Sequence, residues 1–311
     1  MAYFLGIDAG ATKTNGVLGT ETDVLARAQG GSIKVTRISE ANAETHLQAV
    51  LESLVQQSGV SLKSISGTCV GLSGFAIPGV AHWVRTALTS RVGGHLEICG
   101  DEVIALDAAF HGGRGILAIA GTGSHIVGRT RSGELVRTGG WGPVMSDQGA
   151  GCRIGLLALR AMFHAQDASE ETSLLQAIHA AWGTQTIEEL IERGNSTPVV
   201  EFSTLAPVVA EAAAAGDAVA RRVLQQSGEE LADLVLLAMR KGSALESSAS
   251  SPAAIMPWKV AYTGSVIEKI SLLRDSMIAT ILQSDPSVEF LSQPANPPLG
   301  ALWRAAHIST S

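Results

Sequence analysis

The strongest constraint in this chain is a pattern that occurs twice: an apolar run, a turn of glycine and hydroxyl residues, and a second apolar run. The first copy is Tyr3-Phe4-Leu5-Gly6-Ile7-Asp8, then Ala9-Gly10-Ala11-Thr12-Lys13-Thr14, then Gly16-Val17-Leu18-Gly19. The second is Gly115-Ile116-Leu117-Ala118-Ile119-Ala120, then Gly121-Thr122-Gly123-Ser124, then Ile126-Val127-Gly128. Apolar runs of strand length flanking a glycine-bearing turn are hairpin signals. Their recurrence predicts two similar halves.

Between and after the hairpins, strands alternate with helices. Residues 24–29, 65–72 and 96–99 read as strands. Residues 42–57 place Leu47, Val50, Leu51 and Leu54 at helical spacing, and 102–110 read as a second helix. Beyond Gly149 the chain turns helical, over 156–163, 172–182, 187–193, 210–215 and most clearly 217–241. The Ser- and Ala-rich stretch 242–257 reads as a loop. Strand returns at 259–263, helix at 267–282, strand at 288–291, and a final helix at 299–307 after Pro297-Pro298. This alternation predicts a layered α/β protein.

Composition excludes several classes. Of 311 residues, 46% are hydrophobic and 16% charged, too apolar for a disordered chain. A formal net charge of −7 without a basic stripe speaks against a nucleic-acid partner. The uncharged stretch 64–84 is broken by Gly67, Gly71, Gly74, Pro78 and Gly79, so no membrane span is expected. With no basic, apolar leader at Met1, a cytoplasmic protein is expected. Cys69, Cys99 and Cys152 are too scattered for a disulfide framework or a metal pair.

The hairpin tips carry the first candidate chemistry. A loop such as Gly10-Ala11 lets backbone N–H groups approach an anion, with Thr12 and Thr14 adding hydroxyls and Lys13 a charge. Asp8, at the strand end, has the hard oxygen donors that Mg²⁺ prefers. An ordinary capped hairpin meets the same description. The tip Gly121-Thr122-Gly123 would let both turns grip one polyphosphate. Asp101, at a predicted helix start, is either a helix cap or a general base for a substrate hydroxyl. Gly139-Gly140-Trp141-Gly142, with Asp147 shortly after, offers backbone amides and a carboxylate to a sugar, or is a glycine-rich turn anchored by a buried Trp.

The ordered set Gly6-Ile7-Asp8-Ala9-Gly10-Ala11-Thr12-Lys13-Thr14, Asp101, Gly121-Thr122-Gly123-Ser124, Gly140-Trp141-Gly142, Asp147-Gln148-Gly149 and Tyr262-Thr263-Gly264-Ser265-Val266 resembles the N-acetylglucosamine kinase and BadF/BadG-type ATPase family. That family belongs to the actin-like, hexokinase and Hsp70 ATPase superfamily. The resemblance spans nearly the whole chain and implies two actin-like (ribonuclease H-like) α/β domains with an ATP cleft between them. Their expected extents are 1–112, with the final helix 299–311 packing back, and 113–298 with helical insertions. The resemblance implies an ATP- and Mg²⁺-dependent kinase acting on a hydroxyl, the primary one, of an amino sugar such as N-acetylglucosamine or a glucosamine-like sugar. A homodimer is likewise implied by the resemblance alone.

Carried over residue by residue, Thr12 and Thr122 resemble phosphate contacts, Asp8 the Mg²⁺ organiser and Asp101 the base. Gly10, Ala11, Lys13, Thr14, Gly121 and Gly123 share the phosphate turns, while Gly264, Ser265 and Ser203 fall on the nucleotide side. Gly140, Trp141, Gly142 and Asp147 resemble the sugar segment, and Gly300 a small residue of the last helix where close packing permits hinge motion. The family kinases carry a sugar-bonding Asn where this chain has Lys34, after Gly30-Gly31-Ser32, and often an Asn where it has His125. An ammonium donates but does not accept. An anionic or differently substituted sugar is therefore open, as is a Lys34 that points into solvent. The family's other branch, the iron–sulfur activators of 2-hydroxyacyl-CoA dehydratases, has a cysteine pattern missing here. A nucleotide-dependent switch without a sugar acceptor is the alternative function.

Overall fold

The computed structural model describes residues 1–77, 79–196, 201–248 and 256–307. The chain divides into two compact units, Met1–Gly113 with Ala295–Ser311, and Arg114–Pro294.

The first unit grows from alternation along β1 (Tyr3–Ala9), which buries Leu5, Ile7 and Ala9 on one face. β2 (Lys13–Gly19) and β3 (Val24–Gly31) continue it as an antiparallel meander. Next comes α1 (Glu40–Ser58), whose N-cap Ser39 accepts the Asn42 N–H and whose end is set by Gly59 at φ 68°. β4 (Ile65–Leu72), α2 (Val80–Thr89), β5 (His95–Gly100) and α3 (Asp101–Phe110) follow, giving a five-stranded sheet in the order β3-β2-β1-β4-β5. β1, β4 and β5 are parallel, and β3 runs the same way, so the C-terminal ends of all four share one edge. Leu47, Val50 and Leu54 of α1 and Val84 and Leu88 of α2 complete the core with Leu5 and Ile7.

The second unit repeats this plan. β6 (Gly115–Ala120), β7 (Ser124–Arg129) and β8 (Leu135–Gly139) form the meander, and β9 (Lys259–Thr263) and β10 (Glu289–Phe290) lie parallel beyond β6, in the order β10-β9-β6-β7-β8. Read from the meander outward, the two sheets have the same order, as the recurring hairpin predicts. Between β8 and β9 come α4 (Gly151–Asp167), α5 (Leu174–Trp182), α6 (Ile187–Gly194), α7 (Ala206–Ala214) and α8 (Ala218–Ser248). After β9 come α9 (Ser265–Lys269) and α10 (Ser271–Ser284).

Two expectations are corrected here. The stretch expected as a loop from Gly242 is helical through Ser248, because it has partners: the Gly242 Cα faces the Trp258 ring, Ser243 Oγ accepts the Trp258 Nε1–H at 3.0 Å, and Glu246 pairs with Arg114 at 2.8 Å. Residues 249–255 of that stretch lie outside the described residues. The single helix expected over 267–282 is two, broken at Ile270 (φ −101°, ψ 86°).

α11 (Pro297–Ala306) returns to the first unit and packs on α3, β1 and β4. Glycine makes that approach possible. A Cβ at Gly6 would stand 2.3 Å from the Leu302 nitrogen, and one at Gly67 would stand 2.4 Å from the Ala305 carbonyl. Arg304 then clamps the helix electrostatically, donating to Glu97 of β5 at 2.6 Å and to Asp107 of α3 at 2.9 Å. The Cys69 and Cys99 thiols are buried in this layer, 3.9 Å apart, with Ile104, Ala301 and Ala305. Among the described residues no helix is long and apolar enough to cross a membrane.

Candidate active site

In each unit the singled-out residues gather at the C-terminal edge of the sheet, where α/β proteins bind ligands. In the first unit, Gly10 to Lys13 form the tip joining β1 to β2, closed by the Gly10 N–H donating to the Lys13 carbonyl at 2.9 Å. Thr12 and Lys13 are exposed there. Thr14 is not: it is fully buried, and its hydroxyl has no hydrogen-bond partner among the described residues.

Asp8 ends β1 beside this tip. Its cross-strand neighbour Asn15 donates Nδ2–H to Asp8 Oδ2 at 3.3 Å, and Gln29 donates to Asn15 Oδ1 at 2.7 Å, which turns the amide toward Asp8. Asp101 begins α3, directly after β5. Gly100 takes the cap position, and the Asp101 Oδ1 accepts the Glu102 N–H at 3.1 Å. Burial pushes the Asp8 carboxyl up to about 6; Asn15 opposes that, the negative charge of Asp101 adds to it, and Lys13 opposes it. Two carboxylates therefore feel each other at one sheet edge, beside a turn of exposed backbone.

Lys34 joins the same edge from β3. Ser32 Oγ donates to the Gly10 carbonyl at 3.2 Å and accepts the Lys34 N–H at 3.2 Å, tying the Lys34 backbone to the tip. The Lys34 side chain, partly buried, reaches the loop after β4. Its Nζ lies 3.0 Å from the position a Cβ would take on Gly74, in the loop after β4.

In the second unit the turn at Gly121 to Gly123 is held by α4. The Gly151 N–H donates to the Gly121 carbonyl at 2.8 Å, and the Gly121 N–H closes the turn on Gly123 at 2.9 Å. Gly264, at φ 113°, passes so close to β6 that a Cβ would stand 2.4 Å from the Ala120 carbonyl, and Ser265 follows beside Gly121. The Glu268 carboxylate caps this bend, accepting the Gly264 N–H at 2.7 Å. Ser203 lies against Gly151 and bonds both Glu201, at 2.9 Å, and the Cys152 thiol.

The glycine-rich segment after β8 divides into an exposed tip and a fixed base. Trp141 is 72% exposed, with Val144 and Met145 exposed beside it, so the reading of a buried anchoring Trp is corrected. The anchor is Asp147, 6% exposed and at φ 62°, a left-handed conformation unusual outside glycine. Its carboxylate sits against Gly123, joining the two turns. Burial pushes that carboxyl up, opposed by N–H donors from Gly142 and Ser124 and by the neighbouring His125. His125 Nε2 is buried without a hydrogen-bond partner among the described residues.

Several of these residues carried no recognised signal in the sequence. Ser32 and Gly74 act across long chain separations. Asn15 and Glu268 were within reach: Asn15 stands directly opposite Asp8 in the hairpin register, and Glu268 lies four residues after the Gly264 N–H that it accepts.

A model of the BadF/BadG/BcrA/BcrD ATPase family matches residues 5–301. The chain belongs to that family. Among curated proteins, an N-acetyl-D-glucosamine kinase of Dictyostelium discoideum is 27% identical, covering 96% of this chain and 96% of its own length. An N-acetylmuramic acid/N-acetylglucosamine kinase of Clostridium acetobutylicum is also 27% identical, over 97% of each. A crystal structure provisionally named as an N-acetylglucosamine kinase from Chromobacterium violaceum superimposes with a TM-score of 0.71 at 26% identity, covering 97% of this chain and 98% of that one. The two five-stranded units of this BadF/BadG-family chain are thus the actin-like architecture that its motifs imply.

Proposed function

We propose that this chain is an ATP-dependent kinase that phosphorylates a hydroxyl of an amino sugar, with Asp101 as the base and Asp8 as the organiser of Mg²⁺. The carrying observation is the pair of carboxylates at the C-terminal edge of the first sheet, Asp8 inside the rim and Asp101 at the start of α3, coupled in charge and beside the Gly10–Lys13 turn. The family and the sugar-kinase relatives that match end to end support the reading.

The residues present fit the groups this reaction needs. A carboxyl pushed up by burial and by a like charge is one that a divalent cation would hold ionised. Mg²⁺ takes one or two protein carboxylates together with nucleotide phosphates. Bound at Asp8, it would offset negative charge on the transferring phosphoryl group. Gly10 and Gly121 put no side chain of their own at their turns, and Thr12, Lys13 and Thr122 are exposed donors there. Gly264, Ser265 and Ser203 are assigned to the nucleotide side, and Gly140, Trp141, Gly142, Asp147 and Lys34 to the sugar.

Asp101 accepts the proton of the attacking hydroxyl and fixes its direction. Transfer of this kind depends on positioning and electrostatics. Asp101→Asn should lower phosphorylation of N-acetylglucosamine by about 10²- to 10⁴-fold while ATP still binds, measured by coupled ADP release and by calorimetry. Activity near that of the parent would remove Asp101 as the base. A parent enzyme that binds ATP but turns over no amino sugar would favour the nucleotide switch.

A further inference from the structure

A row of polar side chains crosses the first sheet at the height of Asp8. In the register of β1, β2 and β3, Asp8 stands opposite Asn15, and Asn15 stands opposite Gln29. Residues directly opposite in neighbouring strands share a face of the sheet, with Cβ atoms about 5 Å apart. Gln29 Nε2–H donates to Asn15 Oδ1 at 2.7 Å, and Asn15 Nδ2–H donates to Asp8 Oδ2 at 3.3 Å. Toward β4 the row ends in Gly71, opposite Asp8, where the missing Cβ leaves room for the Ile104 side chain of α3. An aliphatic chain offers a carboxylate no bond; the amide on the other flank does.

We propose that Asn15 is a positioning residue for the metal: backed by Gln29, its amide holds the Asp8 carboxylate in the orientation that a divalent cation takes up. The proposal rests on the reading of Asp8 as the organiser of Mg²⁺. The chemistry of the row suits that task. An amide donates without carrying charge, so it fixes the carboxylate and leaves the negative charge to the cation; a Lys or Arg in place of Asn15 would compete for it. Gln29 decides which way the Asn15 amide faces. Turned over, the amide would set its oxygen against the carboxylate and its nitrogen against the Gln29 nitrogen, and both bonds would be lost. Carboxylates that ligate metals are themselves held by hydrogen bonds, and removing such partners costs about 10- to 100-fold in metal affinity or activity. The rival role for the same row is cross-strand stabilisation of the β1–β2–β3 meander, which needs no metal.

The test uses the full chain in complex with a non-hydrolysable ATP analogue, with Mn²⁺ as the probe and its electron paramagnetic resonance signal as the readout of bound metal. Asn15→Leu should weaken Mn²⁺ binding by about 10- to 100-fold. Gln29→Leu should weaken it by about 2- to 10-fold, and the double variant should be no weaker than Asn15→Leu alone, because Gln29 acts through the Asn15 amide. In turnover with N-acetylglucosamine, the KM for Mg²⁺ should rise by the same factors while the KM for the sugar stays where it is. Gln29 is exposed, so Gln29→Leu carries the test if Asn15→Leu does not fold. Unchanged Mn²⁺ affinity in both variants overturns the proposal, even if melting temperature falls, and leaves the row as a cross-strand pair; the kinase reading then stands if the parent phosphorylates the sugar. Additive losses in the double variant overturn the relay through Gln29. If the parent turns over no amino sugar yet Asn15→Leu weakens Mn²⁺ as stated, the kinase reading fails and the positioning role stands.

Discussion

Gly300 tests whether the α3–α11 contact holds the acidic edge in place. A Cβ there would stand 1.8 Å from the Ile104 carbonyl oxygen, 2.5 Å from the Ala108 nitrogen and 2.9 Å from the Ala108 Cβ. Two of these are backbone atoms of a helix and have no rotamer to escape into. Comfortable contacts need about 3.5 Å, so Gly300→Ala must push α11 off α3 by roughly 1.5 Å. Overpacking of this kind costs about 1–3 kcal/mol, and backbone atoms on the far side place it at the upper end. Alanine returns about 1 kcal/mol as the better helix former. The net is a loss of about 2 kcal/mol, or roughly 4–8 °C in Tm. Differential scanning calorimetry reads it, in the transition of the first unit if the units melt separately. Because α3 begins with Asp101, the phosphorylation rate should fall as well. The control is Gly194→Ala at the end of α6, where a Cβ meets nothing within 4 Å among the described residues; it should be neutral or slightly stabilising. A Gly300→Ala protein that melts within about 2 °C of the parent refutes the reasoning.

Two further substitutions probe single groups. Asp217 caps α8, accepting the Ala220 N–H at 2.9 Å and the Ser173 N–H at 2.6 Å. Burial alone would push its carboxyl up, but these donors and the Ser173 and Thr172 hydroxyls outweigh it and hold the group below its ordinary value. Its stabilisation is therefore present above the unfolded pKa of about 3.9 and is lost as pH falls through the lower folded value. Asp217→Ala should cost about 1–2 kcal/mol at pH 7, and the gap in urea midpoint should close on acidification below about pH 4; a gap undiminished at about pH 2.5 would count against the cap. Thr14→Val replaces a buried hydroxyl that has no partner among the described residues with a methyl of similar volume. It should leave stability unchanged or raise it by up to about 1 kcal/mol, and a clear loss in denaturant melts would show that the hydroxyl is bonded after all.

The legible parts of this molecule were those written in local pattern. The β1–β2 and β6–β7 hairpins announced themselves because turn chemistry and strand alternation agree at the same residues. The glycines at 10, 121 and 264 were legible for the same reason. What escaped was decided by contacts between distant segments. The α8 continuation past Gly242 depends on Trp258 and Arg114, and its Ser-rich composition pointed the other way. The break at Ile270 has no proline or glycine to mark it. Strand β8 is only Leu135–Gly139, with Val136 and Thr138 buried in alternation, too short to stand out. In the candidate site, Asp8 and Asp101 were identifiable one at a time, but their charge coupling and the rest of Lys34 against Gly74 arise only when β1, β3, β4 and β5 share an edge.

The return of α11 has a consequence for how the protein is made. The first unit is assembled from both ends of the described chain, whereas the second is one uninterrupted stretch. On the ribosome, β1 to α3 emerge early but wait, one sheet face uncovered, until all of the second unit has been synthesised and Pro297–Ala306 arrives. During that interval Gly6 and Gly67 have no helix backbone against them, and the buried Cys69 and Cys99 thiols are open to solvent and oxidants. The earlier-made unit is then the later to finish, and a chain released after Pro294 but before residue 297 has a complete second unit and an unclosed first.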